Sequence, residues 1–442
     1  MRLETVNLGH KKGHEKNSYV QLQQRLDKSP QSAPTSKALF EILQVLFTEE
    51  EAHFVSLLPI NFVTAEKAAK IWKTTRDEAE KILDTLAGKG LLMDGCQDER
   101  RSYILAPTMA GFFEFSLMRT DGKFDRKVLS ELYYQYLNVE DDFLFAIFAT
   151  QTPIDRVFVQ EETIRPEDYS EILDYERATK VIETAECITV GTCYCRHKME
   201  HKGKACDQPQ DVCLTFNGAA KSLSKHGIAK EISKEEAMKI LNRVVELGLV
   251  QIGDNVRNEV AWICNCCGCC CEAILAYKRL GYNPGIYSNF KPEMITENCN
   301  GCGVCVKKCP IDAIEVLIEE SGKKYSVVDY SRCFGCGVCT RSCKREAIQM
   351  IRREDLMHTP EDAFERVVRM AIDTGRLQNL LFDNQHLWTH KMLQRFVGIL
   401  LNLGPIRRKM ADHQLQSKFV AYTRRLFLKR TKKLGLDNRL KL

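Results

Sequence analysis

Eight cysteines between positions 299 and 343 are the residues best suited to chemistry, and they form one pattern written twice. Cys299, Cys302, Cys305 and Cys309 follow C-x2-C-x2-C-x3-C, and Cys333, Cys336, Cys339 and Cys343 repeat that spacing 34 residues later. The flanks keep the same offset, since Ala313-Ile314 returns as Ala347-Ile348. Two-residue gaps let one tight loop wrap three corners of a compact metal group. Gly301, Gly303, Gly335 and Gly337 supply the positive φ that such loops need. Paired C-x2-C hooks also chelate zinc, but zinc has no use for the third and fourth thiols of each run. An iron–sulfur cubane does, because each of its four irons takes one thiolate.

The double run resembles the bacterial-type ferredoxins that carry two [4Fe–4S] clusters, over about residues 290 to 352. The resemblance implies one-electron transfer and an exchange of the fourth ligand between the repeats. Cys299, Cys302, Cys305 and Cys343 would then hold one cluster, and Cys333, Cys336, Cys339 and Cys309 the other. Pro310 follows the first run as expected, whereas Lys344 stands where the second proline belongs, a departure that removes no ligand.

A second cysteine field lies upstream. It comprises Cys193, Cys195, Cys206 and Cys213, then Cys264, Cys266, Cys267, Cys269, Cys270 and Cys271, six thiols in eight positions. Adjacent side chains cannot all point into one core, so at least four of these ten thiols are expected to bind metal. Three arrangements fit. One is a further cubane on Cys193, Cys195, Cys206 and Cys213 with another on the 264–271 segment; the second is a single composite cluster. The third is structural zinc, which His197 and His201 would suit. Iron–sulfur chemistry is preferred because the chain is already committed to it. Arg196, Lys198, Lys202 and Lys204 would depress thiol pKa values and offset an anionic cluster. His197, His201, His386 and His390 read as exposed helix residues, and Cys96 as a bystander. The succession C-x-C-R, C-x6-C-L and C-N-C-C-x-C-C is similar to one in winged-helix and ferredoxin fusion proteins of anaerobes; this resemblance implies an architecture rather than a reaction.

These residues need elements to position them. A length of 442 residues suggests about three domains. The hydrophobic content of 44% provides for a sizeable core. Twenty cysteines in short clusters point to metal binding in a reducing compartment rather than to a disulfide scaffold. Met1 to Pro34 lack an apolar signal region, and no stretch approaches the ~18 apolar residues of a membrane span. A cytoplasmic, soluble protein is the expectation. The expected fold class is α+β: a disordered tail over 1–35, a winged-helix domain over 36–118, a Cys-rich α/β domain over 119–290, the dicluster module over 291–352, and a helical basic region over 353–442.

Local signals support this division. Thr48 with Glu51 forms a capping box, Thr64 caps a short helix, and Thr75 with Glu78 opens a third. Gly88 and Gly90 end that helix before a hairpin of Leu91–Met93 with Tyr103–Leu105. Its would-be recognition helix sets Arg76, Lys81 and Lys89 against Asp77, Glu78, Glu80 and Asp84, so the charge surplus that DNA binding requires is missing. Ser233 with Glu236 caps a further helix that Gly248 closes, and Thr359–Asp362 starts another. From Arg407 onward twelve Lys or Arg face only Asp412 and Asp437, on a helix suited to an acidic partner or an anionic membrane surface. No phosphate-binding loop, dinucleotide fingerprint or hydrolase elbow is present. The remaining classes are an electron carrier working as a subunit or adaptor beside a redox partner, a reductase with a catalytic cluster on Cys264–Cys271, and an iron–sulfur redox sensor acting on transcription. The carrier is the expectation.

Overall fold

The computed structural model describes residues 17–97, 100–283, 285–382 and 388–401. Its first element corrects the expectation of a disordered tail. Ser18–Asp27 is a helix, capped by the Asn17 side chain accepting from the Tyr19 amide. Leu22 and Leu26 are buried, and the helix packs on Glu49–Leu57. Arg25, also buried, donates to the carbonyls of Leu58 and Pro59 at 2.8 and 2.6 Å. Polar composition concealed this helix because two leucines one turn apart are enough for a docking stripe when the other faces are solvated. Residues 1–16 lie outside the described residues.

Helices Lys37–Leu46, Glu49–Leu57, Ala65–Trp72 and Arg76–Gly88 follow, with Ser36, Thr48, Thr64 and Thr75 each accepting from an amide in the first turn. Strands β1 (Leu92–Gln97) and β2 (Arg100–Leu105) form an antiparallel hairpin longer than the sequence suggested. Val63 bridges Tyr103 beside it. Cys96 lies in β1, its side chain outside the described residues. The hairpin docks on the helix Asn217–Lys225 and its end: the Asp94 amide donates to Ser222 Oγ at 3.1 Å, and the Asp94 carboxylate meets Lys225 and His226.

The centre of the molecule is a six-stranded sheet of β3 (Asp155–Phe158), β4 (Ile188–Thr192), β5 (Asp211–Phe216), β6 (Lys230–Glu231), β7 (Val250–Asp254) and β8 (Trp262–Cys266). The order is β3-β7-β8-β5-β4-β6 and every pairing is antiparallel. This corrects the α/β expectation for the region, whose helices and strands do not alternate in a parallel sheet. The predicted Ser233–Glu236 box caps the helix Lys234–Glu246, and Gly248, at φ +73°, follows its end.

The next unit repeats itself in space as in sequence. Strand β9 (Phe290–Met294) pairs with β12 (Ile348–Arg352), and β10 (Ile314–Ile318) with β11 (Lys324–Val328). The Ile295 amide donates to Ala347 O at 2.9 Å, while its counterpart Asp329 donates to Ala313 O at 2.8 Å. Gly301 and Gly335 share nearly one φ, +65° and +68°, in the loops ahead of the short helices Val304–Lys308 and Val338–Arg341. The chain then forms helices Ala363–Asp373, with Asp362 as its cap, Leu377–Leu381 and Trp388–Leu401. The basic stretch from Arg407 and His386 lie outside the described residues, as does the side chain of His390. No helix among the described residues is long and apolar enough to cross a membrane. One continuous core joins the N-terminal helices to Ile274 and Tyr277, and these to Phe334 and Val338 of the repeated unit.

Candidate metal centre

The duplicated loops converge as the spacing requires. Cys305 and Cys339 share a small core with Ile314 and Ile348, against which Cys309 and Cys343 pack. Burial and then the neighbouring Cys336, Cys333 and Cys309 push the Cys339 thiol up, so Cys309 stands with the second run's thiols although it belongs to the first run. The halves differ in exposure. Cys302 is exposed and Cys299 half-buried, whereas Cys333, Cys336 and Cys339 are all buried. The buried half faces the central sheet. The Gln160 amide donates to Cys336 O at 3.0 Å, and Phe334 meets Tyr277 edge to face with ring centroids 5.8 Å apart.

The ten upstream thiols fall into two groups. In the sheet, Leu214 pairs with Ile263, so the preceding Cys213 and the following Cys264 are cross-strand neighbours on the opposite face. Cys266 shares that face because strand side chains alternate. A bulge at Gly191/Thr192 redirects the end of β4 into Cys193, which opens the helix Tyr194–His201 carrying Cys195. Cys271 starts the helix Glu272–Leu280. Neighbouring thiols shift one another's acidity along this set: Cys213 with Cys264, Cys264 with Cys266, Cys266 with Cys271, Cys271 with Cys195 and Cys195 with Cys193. Bonds from Cys195 and Cys266 pull Cys271 down to about 6 despite burial. Cys264 is held low in the same way by Cys213 and Cys266.

The other four, Cys206, Cys267, Cys269 and Cys270, gather so that their sulfurs all lie within 4.8 Å of one another. The bond from Cys270, helped by Arg196, lowers Cys267 to about 4. Cys206 thus stands apart from Cys193, Cys195 and Cys213, with which the sequence grouped it.

Arg196 lies between the groups. It is buried, both terminal nitrogens donate to Asn265 O at 3.1 Å, and its charge faces Cys193, Cys266 and Cys267 rather than a carboxylate. An unmatched buried cation is costly, so anionic sulfur is its natural counter-charge. The other basic residues serve elsewhere: buried Lys198 pairs with Glu272, and Lys202 with Glu131. His197 is buried rather than exposed, its Nδ1 2.7 Å from Leu117 O and its Nε2 3.2 Å from His201 Nε2, an arrangement turned toward the helix Phe113–Met118.

All six linked thiols border a cavity of about 2010 Å³ between the N-terminal region and the sheet. Three residues to which the sequence reading gave no role line it as well. Burial raises Asp155 to about 7 and Glu114 to about 8, although Glu114 accepts from the amides of Ala110 and Gly111 at 2.9 and 3.0 Å. The buried Tyr194 hydroxyl has no hydrogen-bond partner among the described residues. A lone Asp or Glu distant in sequence from the cysteines carries no spacing signal, although Tyr194 sits between two of them. Burial and the neighbouring thiols raise Cys193, Cys195, Cys213 and Cys266. With six thiol donors, a buried guanidinium and proton-bearing carboxyls, the site has the donors and charge compensation for an anionic metal–sulfur group beside an open cavity.

A family model described as a 4Fe-4S dicluster domain matches residues 291–348. Those residues form an iron–sulfur, ferredoxin-like module. No curated protein and no solved structure matches the chain.

Proposed function

We propose that the chain is an iron–sulfur electron-transfer protein whose dicluster module passes electrons inward to a third iron–sulfur centre. Four of the six linked thiols, Cys266 and Cys271 among them, would hold that centre. The observation carrying this reading is the contact between Gly268 and Pro310. A Cβ built on Gly268 would lie 2.5 Å from Pro310 O, so the cysteine-rich turn touches the residue directly after Cys309. In this reading Cys299, Cys302, Cys305 and Cys343 hold the outer cluster, which meets a redox partner, and Cys333, Cys336, Cys339 and Cys309 hold the inner one. The uneven exposure of the two halves supports that direction. The N-terminal helices and hairpin serve packing rather than DNA binding: Arg76 pairs with Glu66, Lys89 with Glu51, and Arg101 with Asp84 and Asp94.

The cavity favours a second reading, a reductase, in which Asp155 and Glu114 hold protons beside the six-thiol group. Reduction of a bound molecule consumes both electrons and protons, and this site would supply protons where the thiols converge. Iron and acid-labile sulfide per chain, measured after purification without oxygen, test the primary reading. About twelve of each are expected, against about eight for two cubanes alone. Cys266→Ser and Cys271→Ser should each fall to about eight and lose one electron paramagnetic resonance signal. Eight irons in the unaltered chain would rule out a third cluster.

A further inference from the structure

We infer that Cys206, Cys267, Cys269 and Cys270 form a mononuclear zinc site, separate from the six-thiol group, that clasps the loop after the helix Tyr194–His201 to the turn after β8. Distances carry the inference. Cys206 Sγ is 3.6 Å from Cys267 Sγ and 3.8 Å from Cys270 Sγ, and the Cys269 and Cys270 sulfurs are 3.7 Å apart. Zinc–thiolate bonds of about 2.3 Å in a tetrahedron put sulfurs about 3.8 Å apart. A cubane places its ligand sulfurs roughly 6 Å apart, because each lies outside a separate iron corner. Four sulfurs within 4.8 Å of one another therefore leave room for one ion and not for a cluster.

Charge and exposure agree. A tetrathiolate carries net negative charge around a divalent ion, and the Arg196 guanidinium faces Cys267 from its buried side. Cys269 is exposed, so a redox-active metal here would meet solvent, whereas zinc has no redox chemistry and closes structural sites with four thiolates. The elements also suit a clasp. Cys206 lies in the loop that ends at β5, while the other three ligands share one turn.

The test uses the full chain purified without oxygen, with zinc and iron measured on the same sample. About one zinc per chain is expected. Cys269→Ser, at an exposed position, should lose the zinc and keep the iron content and cluster spectra unchanged. Cobalt supplied in place of zinc should give the visible absorption of a tetrahedral tetrathiolate, absent in both Cys269→Ser and Cys206→Ala. Lack of zinc, a single iron at the site, or loss of about four irons in Cys269→Ser would overturn the inference. The two proposals separate in one analysis: twelve irons without zinc sinks this one alone, and eight irons with one zinc sinks only the third cluster.

Discussion

Arg196 ties the chemistry of the two thiol groups to one side chain. With no carboxylate paired to it among the described residues, the guanidinium stabilises whichever species nearby gains negative charge, and a cluster gains it on reduction. Arg196→Gln should make the third centre harder to reduce by at least a tenfold equilibrium factor, ~60 mV for one electron. Arg196→Lys should recover part of that loss, and the dicluster potentials should not move; a redox titration followed by paramagnetic resonance reads all three. Asp155 behaves oppositely with pH. Its folded value of about 7 lies above the ordinary carboxyl value near 4, so as pH rises through that window the folded state retains a proton the unfolded chain has released. Stability contributed by the neutral carboxyl is complete below pH ~4 and is lost toward pH 7. Asp155→Asn, which mimics the neutral form, should match the parent near pH 4 and melt roughly 2–4 °C higher at pH 8. Cysteine spacing made the ligands legible as residue types. It could not assign Cys266 and Cys267 to different groups, because that depends on strand alternation and on where β8 ends.

Capping boxes and glycine stops were the most legible elements, since each is a contact between residues three or four positions apart. Both the Thr48–Glu51 and Ser233–Glu236 boxes form as the sequence implies. The helix Ser18–Asp27 was hidden because its evidence is tertiary: two buried leucines and an arginine bonded to carbonyls more than thirty residues away. Leu22→Ala should therefore cost 2–5 kcal/mol of stability, a core-sized loss that thermal or denaturant melting would register. A change near zero would mean that the helix is a surface appendage. Contacts between elements also govern the proposed electron path. Gly268→Ala would press a methyl group against Pro310, and overpacking of this kind costs about 1–3 kcal/mol. The variant should keep its iron content while the dicluster module reduces the third centre more slowly, as stopped-flow absorbance would record. Unchanged kinetics would move the path away from this contact.

At the scale of the molecule, the dicluster module presents one half outward and keeps the other against the sheet, although the two halves are nearly equivalent in sequence. Controlled exposure to air should remove about four irons first, from the half containing Cys302, before the remaining signals decay. Simultaneous loss would show that burial gives the inner half no protection. The internal repeat made this module readable, whereas the cavity was not, because its walls come from segments scattered over the whole chain. The same scattering has a consequence for how the protein is made. Cys266 and Cys271 belong to one thiol group while Cys267, Cys269 and Cys270, between them, belong to the other, so a metal captured one residue out of register would spoil both. Neither group is complete until strands separated by some fifty residues have paired. If both groups bind metal as proposed, the sheet must close before the sulfur ligands are filled, and a surplus of the wrong metal during synthesis would be more damaging than its absence.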